Sequence, residues 1–182
     1  LFNFVFGGSI GASGAAPGGK YINYLLPGIL AQVVLFGAIN TGIGLAEDMG
    51  KGIIDRFRSL PMSRVAVMAG RTVADSLRNV MVVAIMLTVG TLLGFRFHHE
   101  FSGAVGMILL AILFGFAFSW LFAFIGMGAK DSETAQLAGF VSVFPLTFAS
   151  SAFVPIATMP HWLQVFALNQ PVTHAVNALR YL

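Results

Sequence analysis

The chain has 182 residues, of which 57% are hydrophobic and only 9% are charged, and its mean hydropathy is +0.86. Soluble domains carry about 25% charged residues, so this chain has too few charges to cover a water-exposed surface. The composition excludes an ordinary soluble enzyme, a disordered chain and a nucleic-acid-binding module. The absence of cysteine excludes disulfides, thiolate zinc sites and catalysis by cysteine. We therefore predict a membrane protein.

Stretches without charged residues mark the predicted spans, because a charge at the centre of a spanning helix costs about 2.5–3.5 kcal/mol. In chain order they are Tyr21–Ala46, Asn79–Phe95, Phe101–Ala129 and Thr134–Leu179. The first and third exceed the roughly 20 residues that a span needs. The second is short, so its helix has to begin about a turn earlier, around Asp75 and Arg78.

The fourth stretch is long enough for two spans, but prolines interrupt it at Pro145, Pro155, Pro160 and Pro171. We interpret it as one span from about Gln136 to Val154, followed by short interfacial or re-entrant pieces over Pro155–Arg180. Irregular backbone at membrane depth has to be buried in protein or in contact with water.

Both termini have the composition expected of an excerpt from a longer protein. Leu1–Ile10 is apolar but too short to span, and it lacks the basic segment of a signal peptide, so we interpret it as part of a first span. We expect one permease-like transmembrane domain over residues 1–182, truncated at both ends. It would have four full spans, part of a first span and no final span.

A β-barrel is the competing membrane architecture, because aromatic residues alternate with mostly small ones from Phe114 to Phe124. Barrel strands are about 10 residues long and polar at every second position, whereas this segment lies inside a long apolar stretch. On a helix the same residues form two rows at i, i+4 spacing on opposite faces. The rows are Phe114, Phe118 and Phe122, and Phe116, Trp120 and Phe124. We therefore predict an all-α fold of membrane helices.

The basic residues predict the orientation of the spans, since short cytoplasmic loops carry an excess of lysine and arginine. One side holds Lys51, Arg56, Arg58, Arg64, Arg71, Arg78 and Lys130. The other side holds Lys20, Arg96 and Arg180. The segment Glu47–Arg78 is therefore predicted to be a cytoplasmic loop, and the basic pI of 9.7 reflects orientation rather than nucleic-acid binding.

One motif suggests an alternative function. Gly11-Ala12-Ser13-Gly14 is similar to the G-x-S-G of rhomboid-type intramembrane serine proteases, in which a histidine on a later span activates the serine. Here loop-forming residues follow Ser13, and the four histidines lie outside the predicted span centres, at His98, His99, His161 and His174. A general base has to lie within hydrogen-bond reach of the nucleophile. We therefore assign no catalytic residue.

The sequence also contains no nucleotide or metal site that we recognise. His98-His99-Glu100 lacks the spacing of a helical zinc motif, and the chain has no G-x-x-x-x-G-K-[ST] phosphate-binding loop. We expect no cofactor or metal in this chain. If ATP and magnesium drive transport, another polypeptide has to bind them.

A short amphipathic helix is predicted from Lys51 to Leu60. Its apolar face consists of Ile53, Ile54, Phe57 and Leu60, and its polar face of Asp55, Arg56, Arg58 and Ser59. Pro61 ends it, because the residue before proline is pushed out of helical geometry. Such a helix can lie on anionic lipid, but its shortness and its proline stop favour insertion into a protein groove.

The sequence around this helix resembles the permease subunits of type-2 ABC exporters, and more narrowly the daunorubicin-resistance-type drug efflux permeases. The similar segments are Glu47–Arg64, Ala69–Asn79, Tyr21–Leu30, Phe144–Phe148, Phe153–Leu163 and Asn169–Arg180. They cover nearly the whole chain in consistent order.

The resemblance implies that Lys51–Leu60 is the coupling helix that docks into a separate ATPase subunit, with Arg56, Phe57 and Arg58 as contacts. Glu47, Asp48, Pro61 and Arg64 would flank it. The family glutamate of this region has three candidates here, Glu47, Asp48 and Asp55. Asp75 and Arg78, at i, i+3 spacing near a span end, are expected to form an ion pair.

The implied function is that of a permease without an ATPase site, exporting hydrophobic drugs or lipid-like compounds across the bacterial inner membrane. Its partners would be the nucleotide-binding ATPase, a second permease copy in a homodimer, membrane lipid and the hydrophobic substrate, with no nucleic acid. Export of polysaccharide or glycolipid is an alternative within the same family, and the serine protease using Ser13 is a more distant one.

Overall fold

The computed structural model describes residues 21–53, 64–95, 100–153, 156 and 159–182. Within these residues the chain forms six α-helices and no strand. They are α1 Tyr21–Gly50, α2 Arg64–Leu92, α3 Glu100–Gly128, α4 Ser132–Phe148, α5 His161–Asn169 and α6 Pro171–Tyr181. The all-α prediction is confirmed for the described part of the chain, and the alternating aromatic segment is helical within α3.

Three of the six helices are long and apolar enough to cross a membrane. The spanning segments are Asn23–Gly50, Thr72–Leu92 and Ser102–Gly128. They overlap the first three charge-free stretches of the sequence. α4 has 17 residues, which is shorter than the roughly 20 residues of a full span. It begins and ends earlier than the predicted Gln136–Val154 segment, and Val154 lies outside the described residues.

The polar connection between the first two spans is shorter than the sequence predicted. α1 continues through Glu47 and Asp48 to Gly50, and α2 already begins at Arg64, about three turns before the start around Asp75 and Arg78 that the sequence predicted. The 30 residues of α1 extend about 45 Å at 1.5 Å per residue, against about 30 Å of hydrocarbon. Charge keeps residues out of the hydrocarbon, but it does not end a helix.

α2 ends in a Schellman arrangement, which explains why the helix stops at Leu92. The N–H of Phe95 donates to the carbonyl of Gly90 at 2.9 Å, and the N–H of Gly94 donates to Thr91 at 3.1 Å. Gly94 has a φ of 96°, a left-handed conformation that glycine adopts without steric cost.

The chain divides into two compact units, each built from parts of several helices. The first comprises Leu1–Gln32, Val82–Ala111 and Leu146–Leu182. Within it, α1 approaches the backbone after α4 so closely that a Cβ at Gly28 would overlap the carbonyl of Ala152. Gly90 of α2 likewise leaves room for the side chain of Leu26.

The second unit comprises Val33–Met81 and Ile112–Pro145. Its part of α3 carries the two predicted aromatic rows. Phe118 and Phe122 are buried, and their rings lie 6.3 Å apart. Phe116, Trp120 and Phe124 are exposed on the other side of the helix. The prediction of two aromatic rows on different faces is confirmed, and one of them packs in the protein interior.

Candidate functional site

The predicted coupling helix lies mostly outside the described residues. Lys51, Gly52 and Ile53 are described, and Ile53 has helical backbone geometry. Its other predicted residues, Ile54, Asp55, Arg56, Phe57, Arg58 and Leu60, lie outside the described part, as does Pro61. Arg64 is the first residue of α2. The structure therefore defines the two helices that hold this segment.

The end of α1 carries an exposed ion pair. Lys51 Nζ donates to Glu47 Oε1 at 2.6 Å, and both side chains are exposed. The hydrogen bond to Glu47, reinforced by its negative charge, raises the pKa of the Lys51 ammonium. Asp48, the neighbouring flank residue, is half-buried on the last turn of α1.

A glycine turn follows directly. Gly52 has a φ of 69°, and its N–H donates to the carbonyl of Met49 at 3.0 Å. The left-handed geometry at Gly52 redirects the chain after α1. The predicted coupling segment thus follows a hydrogen-bonded turn at the end of α1, and the chain continues into α2 at Arg64.

Asp75 and Arg78 do not form the expected ion pair. Within the described residues the charged groups paired within 4 Å are those of Lys51 and Glu47. Asp75 is half-buried, and its Oδ2 atom is enclosed without a hydrogen-bond partner, whereas Arg78 is exposed. Although spacing of i, i+3 brings two Cβ atoms near each other, these side chains differ in depth, and the structure does not bring them together.

Asn79, four residues after Asp75, is a buried polar residue whose importance the sequence did not reveal. It is 7% exposed and lies between Gly37 of α1 and Gly115 of α3, since a Cβ at either glycine would meet its side chain. The sequence feature that could have pointed to this residue was an amide side chain within a polar turn of one predicted span, together with glycines in two other spans.

The irregular segment after α4, residues 149–153, is held by polar side chains of the following helices. Gln170 Nε2 donates to the carbonyl of Ala149 at 2.5 Å, and the N–H of Ser151 donates to Thr173 Oγ1 at 3.3 Å. Ser151 Oγ also donates to Asn177 Oδ1 at 3.0 Å. Carbonyls beyond a helix end need such partners when water is excluded.

Arg180 completes this arrangement, which we call the Arg180 clamp: Arg180, Tyr24 and the carbonyls of Ser151 and Ala152. Arg180 Nη2 donates to Ser151 and Ala152 at 2.5 and 3.2 Å, and Nε donates to the carbonyl of Tyr24 at 3.2 Å. The guanidinium carbon lies 3.7 Å from the centre of the Tyr24 ring, and Tyr24 Oη donates to Ser151 at 3.0 Å. One side chain thus joins the start of α1 to the break after α4.

The residues considered for catalysis or metal binding are not assembled into a site. His161 and His174 are exposed on α5 and α6, whereas Ser13, His98 and His99 lie outside the described residues. Across the ranges that the structure describes, no three His, Cys, Asp or Glu side chains are grouped so that they could hold a metal ion.

Comparison with known proteins identifies the family. The model of the ABC-2 type transporter family matches residues 1–182, which is the whole chain. The chain belongs to the ABC-2 type transporter family.

Relatives of this ABC-2 chain are permease proteins. It is 38% identical over 182 residues to the daunorubicin resistance ABC transporter permease protein DrrB1 of Streptomyces coeruleorubidus, covering 100% of this chain and 63% of the relative. It is 28% identical over 173 residues to the doxorubicin resistance ABC transporter permease protein DrrB of Mycobacterium tuberculosis, covering 95% and 60%. No solved structure matches.

The resemblance to type-2 ABC exporters and to drug-resistance permeases is confirmed by these matches. Together with its three apolar helices, they make the ABC-2 chain a membrane protein. The chain spans about three fifths of the length of these curated relatives.

Proposed function

We propose that this chain is the membrane-spanning permease part of an ATP-driven exporter of hydrophobic drugs or lipid-like compounds in the bacterial inner membrane. The observation that carries the proposal is the family match over the whole chain, joined to 38% identity with a daunorubicin resistance permease. The names of the relatives favour a drug as cargo over a polysaccharide or glycolipid.

Energy comes from a separate ATPase partner, which binds ATP and magnesium. The chain has no phosphate-binding loop in its sequence. The Lys51–Leu60 segment, which the sequence predicts to be helical, docks into that partner and transmits its movement. The geometry of its flanks supports this role, because α1 and α2 are continuous helices on either side of the segment. A displacement of the segment therefore acts directly on two spans.

The transport path forms between two copies of the permease. α4, with the segment that follows it, serves as the fourth span, and α5 and α6 are short re-entrant helices on the exterior side. The hydrogen bonds from Gln170, Thr173 and Arg180 support a membrane-embedded position, because they satisfy backbone groups that lipid cannot.

The coupling role is tested in a reconstituted complex of the full-length permease with its cognate ATPase. We expect Arg56→Glu or Phe57→Ala to abolish co-purification of the ATPase, or to leave it bound with no drug-stimulated ATP hydrolysis. A buried aromatic or arginine anchor typically contributes 2 kcal/mol or more to an interface. The readouts are the ATPase subunit ratio after purification and the drug-stimulated hydrolysis rate.

Lys130→Glu is the matched control, since it makes the same charge change in the turn between α3 and α4. It should leave both readouts within about twofold, as expected for an exposed charge outside the docking helix. Wild-type behaviour of both Arg56→Glu and Phe57→Ala would show that the Lys51–Leu60 segment does not couple the two subunits.

A further inference from the structure

The spanning part of α2 carries polar side chains on a face that is otherwise built for helix packing. The central residue is Asn79, wedged between Gly37 and Gly115 as described above. Further along the same face towards the C-terminal end of α2, Val83 and Leu87 are buried apolar residues. Polar and apolar parts of this face are therefore separated along the helix.

The relative directions of the helices define what lies next to Asn79. Val34 of α1 meets Gly115 of α3, and eight residues later Gly42 meets Phe122, so α1 and α3 run parallel. Because α1 and α2 are consecutive spans, α2 runs in the opposite direction. A residue one turn before Asn79 on α2 therefore lies at the same level as residues one turn after Gly37 on α1 and one turn after Gly115 on α3.

At this level each of the three spans carries one polar residue. Four residues before Asn79 is Asp75, four after Gly37 is Thr41, and four after Gly115 is Ser119. Thr41 and Ser119 are 1% and 0% exposed. Together with Asn79 we call these residues the polar layer. At 1.5 Å per residue, Thr41 lies about 14 Å from the end of α1, well inside the helix.

Three members of the polar layer have unused hydrogen-bonding capacity. Thr41 Oγ1, Asp75 Oδ2 and Asn79 Nδ2 are enclosed atoms with no hydrogen-bond partner. Only Ser119 is satisfied, by donating to the carbonyl of Gly115 at 2.9 Å. Enclosed polar groups without a partner are costly inside a membrane protein, and an intramembrane carboxylate is a functional feature by default.

The chemistry of these groups selects a ligand class. Asp75 is the acidic residue of the Thr72–Leu92 span, and Arg78 is not paired with it. A carboxylate and a hydroxyl at one level of the three spans offer acceptors to a small group with several N–H donors and a positive charge. A metal ion would need more ligands than this one carboxylate, whereas an ammonium group is satisfied by two or three acceptors.

We propose that Asp75 and Thr41 of the polar layer bind the ammonium head of amphiphilic cationic cargo, while the surrounding apolar helices accommodate its hydrocarbon part. This inference rests on the proposed export function and specifies its substrate class. The site lies in the half of the spans that the positive-inside rule places towards the cytoplasm, which is the side from which an exporter takes its cargo.

The experiment compares two probes in vesicles that contain the permease with its ATPase. Both probes are naphthalenes with a six-carbon chain, one ending in a primary ammonium and the other in a hydroxyl. Wild type should transport the ammonium probe, and Asp75→Asn should slow its transport at least about tenfold, as expected for losing a hydrogen bond to a charged group. Transport of the hydroxyl probe should stay within about twofold.

Thr41→Val removes one acceptor without changing side-chain volume, and it should weaken equilibrium binding of the ammonium probe severalfold. Arg78→Gln is the matched control for a polar change on the exposed side of α2, and it should change the transport of neither probe. An equal loss of transport of both probes in Asp75→Asn would assign Asp75 a structural role and overturn the inference. Unchanged transport of the ammonium probe in Asp75→Asn would overturn it as well.

The same assay separates the inference from the function on which it rests. Transport of the hydroxyl probe alone by wild type would leave the export function standing and refute recognition of the ammonium group. Transport of neither probe, in vesicles where the ATPase is assembled and active, would refute the proposed function and the inference with it.

Discussion

Gly42 and Gly126 bring the backbones of α1 and α3 together at a distance that no side chain permits. A Cβ at Gly126 would overlap the carbonyl of Gly42, and one at Gly42 would overlap the carbonyl of Phe122. In lipid there is little hydrophobic driving force for helix association, so close packing through small residues has to provide the attraction. These two positions are therefore the parts of the α1–α3 contact most sensitive to substitution.

We expect Gly126→Leu to destabilise the protein by about 1–3 kcal/mol, which is typical of overpacking, and to lower the melting temperature in detergent. Gly128→Leu is the control on the same helix, because nothing lies within 4 Å of a Cβ at Gly128. Thermal unfolding followed by circular dichroism measures both. Indistinguishable melting of the two variants would show that the close approach does not stabilise the protein.

Buried polar residues show where sequence reasoning failed at single positions. Residue spacing predicted that Asp75 would pair with Arg78, because spacing takes account of a single isolated helix and not of its neighbours. In the folded protein the Asp75 Oδ2 atom is enclosed without a hydrogen-bond partner, while Arg78 stays exposed. The partner of a side chain within a span is decided by the neighbouring helices, and one sequence does not reveal their register.

Among the helices, α4 has a defined start that is capped by a titratable residue. The Thr134 N–H donates to Asp131 Oδ1 at 2.7 Å, so Asp131 caps the first turn. This hydrogen bond to the backbone N–H of Thr134 is the main reason why the pKa of the Asp131 carboxyl lies below its usual value. The ionised form also interacts favourably with the N-terminal end of the helix dipole.

A lowered pKa in the folded state means that the cap stabilises α4 above the ordinary aspartate pKa and is lost as pH falls through the lowered one. We expect the Thr134 amide NMR signal to titrate with a midpoint below 3.8. Asp131→Asn should abolish this titration while retaining a capping oxygen, and Asp131→Ala should fray the first turn at every pH. A midpoint at or above 3.8 would contradict the cap.

Helix existence was predictable here, whereas helix ends were not. α3 is the exception, since its limits agree with the charge-free stretch Phe101–Ala129 to within one residue at each end, whereas α1 and α2 continue through charged residues. Pro145 was expected to interrupt its segment, yet it lies inside α4, as Pro27 lies inside α1. The chain breaks instead after Phe148, where its carbonyls are satisfied by donors at Gln170 and Arg180, far along the sequence.

For the whole molecule, the distribution of basic residues predicts which side of the membrane each connection faces. Met49, at the end of α1, is exposed and falls on the cytoplasmic side by this rule. Trp162, on α5, is 73% exposed and falls on the opposite side. The chain contains no cysteine, so single cysteines at these positions report on sidedness without background.

In intact cells we expect a membrane-impermeant maleimide to label Trp162→Cys but not Met49→Cys, and permeabilised cells to show labelling of both. The unchanged cysteine-free chain is the control for non-specific reaction. Labelling of Met49→Cys in intact cells, with none at Trp162→Cys, would reverse the orientation and place the Lys51–Leu60 segment out of reach of any cytoplasmic ATPase.

The Arg180 clamp also dictates an order of events during synthesis. Its hydrogen bond to Tyr24 joins residues 156 positions apart, which corresponds to roughly 8 to 30 s of translation at 5–20 residues per second. Until Arg180 has been made, the carbonyls of Ser151 and Ala152 lack their guanidinium donor. The Arg180 clamp between the beginning of α1 and the break after α4 is therefore complete only after Arg180 has been synthesised.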